Sequence, residues 1–94
     1  MARYVTLIRF TDQGARNIKK SPPRARAFKN AAEKAGVKVE LQLWTVGKED
    51  GLLVLSGDDQ KVLRVLTQLA ALGNVRTRTM QAFDAKGFHG IVGR

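Results

Sequence analysis

VKVELQLWTVGKEDGLLVLSG, residues 37–57, is the stretch whose reading decides the fold. Over residues 37–45 the pattern alternates, with Val37, Val39, Leu41 and Leu43 on one side and Lys38, Glu40, Gln42 and Trp44 on the other. A period of two marks a half-buried strand. Gly47 to Gly51 supplies the turn, and residues 52–56 return as a strand that is apolar on both sides. The pair reads as an antiparallel hairpin whose second strand is central and covered on each face.

Working outward, RYVTLIRF at residues 3–10 is another strand with two apolar sides, Val5 and Leu7 on one and Tyr4, Ile8 and Phe10 on the other. Thr11 and Asp12 cap a short helical turn through about Ile18. Ser21-Pro22 then signals a helix start: a hydroxyl to accept from a free N–H, and a proline that needs no partner at the first helical position. Ala25, Phe28, Ala32 and Ala35 follow with helical period, and Gly36 ends the helix as a residue able to take positive φ. Beyond the hairpin, Asp58 or Asp59 opens a second helix with Val62, Val65, Leu66, Leu69 and Leu72 as its buried stripe, closed by Gly73. NVRTRTMQAF at 74–83 is the last strand, and residues 84–92 form a short, glycine-containing terminal helix.

The order strand, helix, strand, strand, helix, strand predicts one α+β domain over residues 1–94. Its architecture is a ferredoxin-like four-stranded antiparallel sheet with both main helices on one face and the first and third strands in the middle. If the helices cover Val5, Leu7, Val39, Leu41 and Leu43, the other face shows Tyr4, Thr6, Ile8, Phe10, Gln42, Trp44, Arg76, Arg78 and Met80. That set is too apolar to meet water alone and too polar for an ordinary core. The expectation is a homodimer or higher oligomer, a second sheet lying across this face around a partly polar cavity. The alternative within one chain is that the terminal helix covers it.

Ninety-four residues suit one domain and hold a core without staples. Cysteine is absent, which removes disulfides, thiolate metal sites and thiol nucleophiles together and fits a reducing compartment. The N-terminus enters a strand pattern directly, without the layout of a signal peptide, and no apolar run approaches the length of a membrane span. The expected location is cytoplasmic. Seventeen Lys and Arg face eight acids, a net charge of +9. Between Asp12 and Glu33 there is no acid, only Arg16, Lys19, Lys20, Arg24, Arg26 and Lys29. Such a block is either a solvated face or a site for an anionic partner. Arg24 and Arg26 also sit in the first turn of a helix, where acids suit the dipole, so Lys19, Lys20, Arg24 and Arg26 are the candidate anion-binding set.

Parts for catalysis are scarce. His89 is alone in the glycine-containing tail, Glu49 and Asp50 are adjacent on a turn and expected to point apart, and Asp58-Asp59 is accounted for by helix capping. No phosphate-loop spacing and no nucleophile–base–orienter set appear, and neither a metal nor a cofactor is expected. Tyr4, Thr6, Trp44, Arg76 and Arg78 are the candidate ligand-binding set: an aromatic wall with two cations for an anionic substrate or ligand. The last two strands lack the aromatic-rich signature of nucleic-acid-binding sheets, which leaves only sequence-blind electrostatic binding through residues 16–29 for that class.

YVTLIRFTDQGARNIKKSPPR, the Trp44-Thr45 end of the second strand, the turn from Gly47 to Asp50, and LGNVRTRTMQAF together resemble the GYD family of small bacterial proteins, in order and over nearly the whole chain. The resemblance implies a ferredoxin-like fold of the dimeric α/β-barrel kind and a family whose biochemical role is unassigned. At the signature run, Gly47 and Asp50 match, whereas Glu49 stands in place of the tyrosine. Related barrels include cofactor-free oxygenases and isomerases as well as ligand-binding modules, and fold alone does not choose among them. The function expected is a small homo-oligomeric protein that binds an anionic or aromatic molecule in a cavity beside the sheet. A cofactor-free enzyme and a non-specific nucleic-acid binder are the alternatives.

Overall fold

Strand β1 (Ala2–Phe10) and strand β3 (Gly51–Gly57) pair at the centre of an antiparallel sheet, with β2 (Lys38–Trp44) and β4 (Val75–Ala82) at its edges in the order β2-β3-β1-β4. The computed structural model describes residues 2–93. Helix α1 (Asp12–Arg16) and a 3-10 turn (Ile18–Lys20) lead into α2 (Ser21–Lys34); α3 (Asp59–Ala71) follows β3, and α4 (Ala85–Val92) follows β4. This is the expected α+β, ferredoxin-like architecture. Helices α2 and α3 lie on one face, where Ala32, Val62, Val65 and Leu66 pack on Val37, Val39, Leu53 and Leu55 with Tyr4, Ile8, Phe28 and Leu69 around them.

The element ends follow local chemistry. Thr11 caps α1 by accepting from the Gly14 N–H, Asp58 caps α3 by accepting from Lys61, and Asp84 caps α4 by accepting from Gly87. Gly36 stops α2 with φ at +86°, a left-handed conformation that a Cβ disfavours. One expected cap is wrong. The N-cap of α2 is Lys20, without a side-chain bond, and the Ser21 hydroxyl accepts instead from the Trp44 indole N–H at 3.0 Å. The preceding 3-10 turn delivers the chain already coiled, so no extended capping residue intervenes.

The two faces also differ from expectation. Tyr4, Thr6, Ile8 and Phe10 turn toward the helices, and Val5 and Leu7 turn away; Thr6 is fully buried with its hydroxyl 3.0 Å from that of Thr79. In β2 the register slips at Glu40: Val39 pairs with Leu55, but Leu41 pairs with Val54. This bulge inserts one residue, so side chains beyond it change sides. Val39 stays in the core, Gln42 and Trp44 face the helices, and Leu41 and Leu43 face outward at 42% and 51% exposure. The terminal helix does not cover that outward face, for every described residue of α4 is exposed.

Candidate functional site

The inward turn of Phe10 and Trp44 has a structural consequence. Between α2, α3 and the sheet lies a cavity of about 420 Å³, bounded by Ile8, Phe10, Trp44 and Leu53 on the sheet side. Phe28 and Ala32 of α2 and Val65 and Leu69 of α3 form its other wall. Its origin is the composition of α2, which presents Ala25, Ala31 and Ala32 to the sheet where longer aliphatic side chains would fill the gap.

Polar groups ring this apolar space, and most are tied down. Gln42 Nε2 donates to the Ala25 carbonyl at 3.1 Å, and Asp50 Oδ2 accepts from the Phe10 N–H at 2.8 Å. Arg24, in the first turn of α2, also lines the cavity, and its Nη1 donates to the Asn17 carbonyl at 3.1 Å. Its other terminal nitrogen, Nη2, is buried and has no partner among the described residues.

The opposite face of the sheet is open. Val5 and Leu7 of β1, Leu52 and Val54 of β3 and Leu41 and Leu43 of β2 make a continuous apolar band by register, extended by Met80 on β4. Charged groups border it. Arg3 Nε donates to Glu40 Oε2 at 3.2 Å, and Arg78 pairs with Glu49 of the hairpin loop. The Ser56 hydroxyl, and after it the Arg3 guanidinium, hold the Glu40 carboxyl below its usual range. Arg9 and Arg76 are direct cross-strand partners, two like charges side by side.

The expected ligand-binding set is therefore divided. Trp44 alone lines the helix-side cavity. Tyr4 and Thr6 face the same side elsewhere: the Tyr4 phenol donates to Asp59 Oδ1 at 2.9 Å, a bond that raises its pKa, and Thr6 is core. Arg76 and Arg78 stand on the open face. Of the candidate anion set, Arg24 lines the cavity, whereas Lys19, Lys20 and Arg26 are exposed and form no ion pair among the described residues. Glu49 and Asp50 do point apart, Glu49 to Arg78 and Asp50 into the cavity wall. Sequence reasoning misses that Arg24 and Trp44 line one cavity. Each residue stands out on separate grounds, and only the bulge brings the indole to the helix side. Among the described residues no group of three His, Cys, Asp or Glu side chains is placed to hold a metal, and no helix is long and apolar enough to cross a membrane.

Comparison with known proteins identifies a family and a relative. Residues 4–92 match the GYD domain. A curated protein of Thermus thermophilus, named glutamine synthetase and cystathionine beta-lyase binding protein, is 32% identical over 84 residues, covering 87% of this chain and 88% of its own length. No solved structure gives a significant match.

Proposed function

The chain belongs to the GYD family, and from that premise we propose that it is a binding protein with two separate surfaces. A second copy of the chain pairs with the open sheet face, and a small molecule enters the helix-side cavity. The observation that carries this reading is the apolar band of Val5, Leu7, Leu41, Leu43, Leu52 and Val54, which has no cover among the described residues of its own chain. Hiding about 400 Å² of such surface on each subunit, about 800 Å² per dimer, corresponds to roughly 20 kcal/mol, against association costs of about 4–15 kcal/mol. The area supports a dimer without fixing its affinity. Helix α4 supports the same reading, because Phe88, Ile91 and Val92 repeat at helical spacing and are more than half exposed, at 55%, 56% and 58%. Such a helix suits the flank of a partner subunit.

The name of the Thermus relative supports protein binding as the role, with enzymes as partners. Sedimentation velocity at physiological salt tests the assembly. Wild type is expected to run at twice the chain mass at tens of micromolar, and Leu43→Asp as a monomer. Leu43 is half exposed in the single chain, so the substitution leaves the core untouched. A monomeric wild type overturns the self-association. Immobilised glutamine synthetase and cystathionine beta-lyase, offered wild type and Leu43→Asp in parallel, test whether the same face serves other proteins.

A further inference from the structure

We propose that the helix-side cavity binds an amphipathic monocarboxylate, with its carboxylate on the Arg24 guanidinium and its hydrocarbon body against Trp44, Phe10 and Phe28. The inference rests on the cavity reading above and adds the chemical class of the occupant and its anchor. Among the described residues two side-chain atoms are buried without a partner, Arg24 Nη2 and Glu49 Oε2. Glu49 belongs to the hairpin loop and pairs with Arg78 of the open face, so of the two residues Arg24 is the one that lines the cavity. A buried cationic N–H without an acceptor is costly to leave unmade, and a carboxylate oxygen is its strongest match.

Several features narrow the ligand. The cavity, about 420 Å³, lies within the range of small-molecule sites, and its walls are overwhelmingly apolar. A bare inorganic anion would satisfy Arg24 and leave that apolar space unfilled. Pro22 and Pro23 occupy the first turn of α2 and offer no N–H, so the backbone there makes a poor phosphate cradle and the Arg24 side chain is the donor. No acid stands in that turn to neutralise it. Asp50 also lines the cavity, and its negative charge disfavours a second charge on the ligand. One carboxylate and a hydrophobic body meet all of these conditions.

Trp44 is the single tryptophan of the chain and stands in the cavity wall, so its fluorescence reports occupancy. The experiment titrates wild type, Arg24→Gln, Arg24→Lys and Ala25→Phe with hexanoate, octanoate, decanoate, neutral decanol and inorganic phosphate. Decanoate is expected to shift the emission, with Kd tightening about fourfold per methylene along the acid series. Arg24→Gln should weaken decanoate about tenfold or more while leaving decanol within about twofold, and Arg24→Lys should recover part of the loss. Ala25→Phe, which fills the cavity, should abolish both. Equal affinity of wild type for decanoate and decanol overturns the carboxylate anchor without need of any variant, and leaves the cavity reading standing. Phosphate binding as tightly as decanoate overturns the amphipathic class. If neither decanoate nor decanol binds wild type, the cavity reading itself is lost and this inference with it.

Discussion

Thr11 and Gly14 show how single atoms fix the frame of the cavity. Thr11 accepts from the Gly14 N–H, donates to the Gly73 carbonyl at 2.6 Å, and gives its own backbone N–H to Asn74 at 3.1 Å. The end of β1 is thereby bound to the turn before β4. A Cβ on Gly14 would collide with the Asn74 carbonyl oxygen, backbone against backbone. Gly14→Ala is expected to cost roughly 1–3 kcal/mol, at the upper end because neither side yields; denaturant unfolding measures it, and an unchanged midpoint refutes the contact. Two further residues set pH limits. The Tyr4 phenol is raised above 10.0 by its bond to Asp59, so the stabilisation is complete below pH 10 and is lost as pH climbs through the folded value. Glu40 is lowered from 4.5, so its contribution is present above that pH and fades as pH falls through its folded value. Melting temperature against pH should therefore fall less steeply above pH 10 in Tyr4→Phe, and less steeply in acid in Glu40→Gln. Wild-type slopes in both variants would remove these two groups as the cause.

At the scale of elements, order and ends are legible in the sequence while the choice of face is not. Gly36, Gly73, Asp58 and Asp84 mark boundaries by chemistry that needs no tertiary context. Strands β1 and β3 are apolar on both sides, so alternation cannot say whether Tyr4 or Val5 faces the helices. Only β2 offers a decision, since its alternation is unbroken from Val37 to Trp44. The bulge at Glu40 reverses its second half without a glycine or proline to announce it. An uncovered apolar face is foreseeable from the pattern, but it is built from Leu41, Leu43, Val5 and Leu7, and the cavity lies on the other side. Arg24 leaves a faint signal, a cation in an acid-free first helical turn. Helix α4 gives the test at this scale: Phe88→Ser with Ile91→Ser should loosen self-association about tenfold or more, through lost apolar contact, with the melting midpoint of the monomeric Leu43→Asp background unchanged. A midpoint that falls in that background would mean that α4 packs on its own chain.

The whole molecule measures 49 × 30 × 17 Å. Its thinnest dimension holds one sheet and one layer of helices, which leaves the second sheet face without a counterpart. Charge opposes the pairing that geometry invites. Two copies at +9 repel each other, and the Debye length shrinks from about 30 Å at 0.01 M salt to about 8 Å at 0.15 M. Dimerisation should therefore tighten as salt rises over that interval, the reverse of an assembly held by ion pairs. Dissociation constants from sedimentation at the two ionic strengths decide this, and weakening with salt would place the contact on Arg3, Glu40, Arg78 and Glu49 instead.

The bulge also guards the sheet against endless growth. β2 is an edge strand, and a straight edge offers its free N–H and C=O groups as a template on which further chains can stack. Glu40 breaks that template midway, and with Lys38 it sets charge beside the gap. The same inserted residue that sends Leu41 and Leu43 outward interrupts the edge along which their strand would otherwise offer a continuous ladder to further copies.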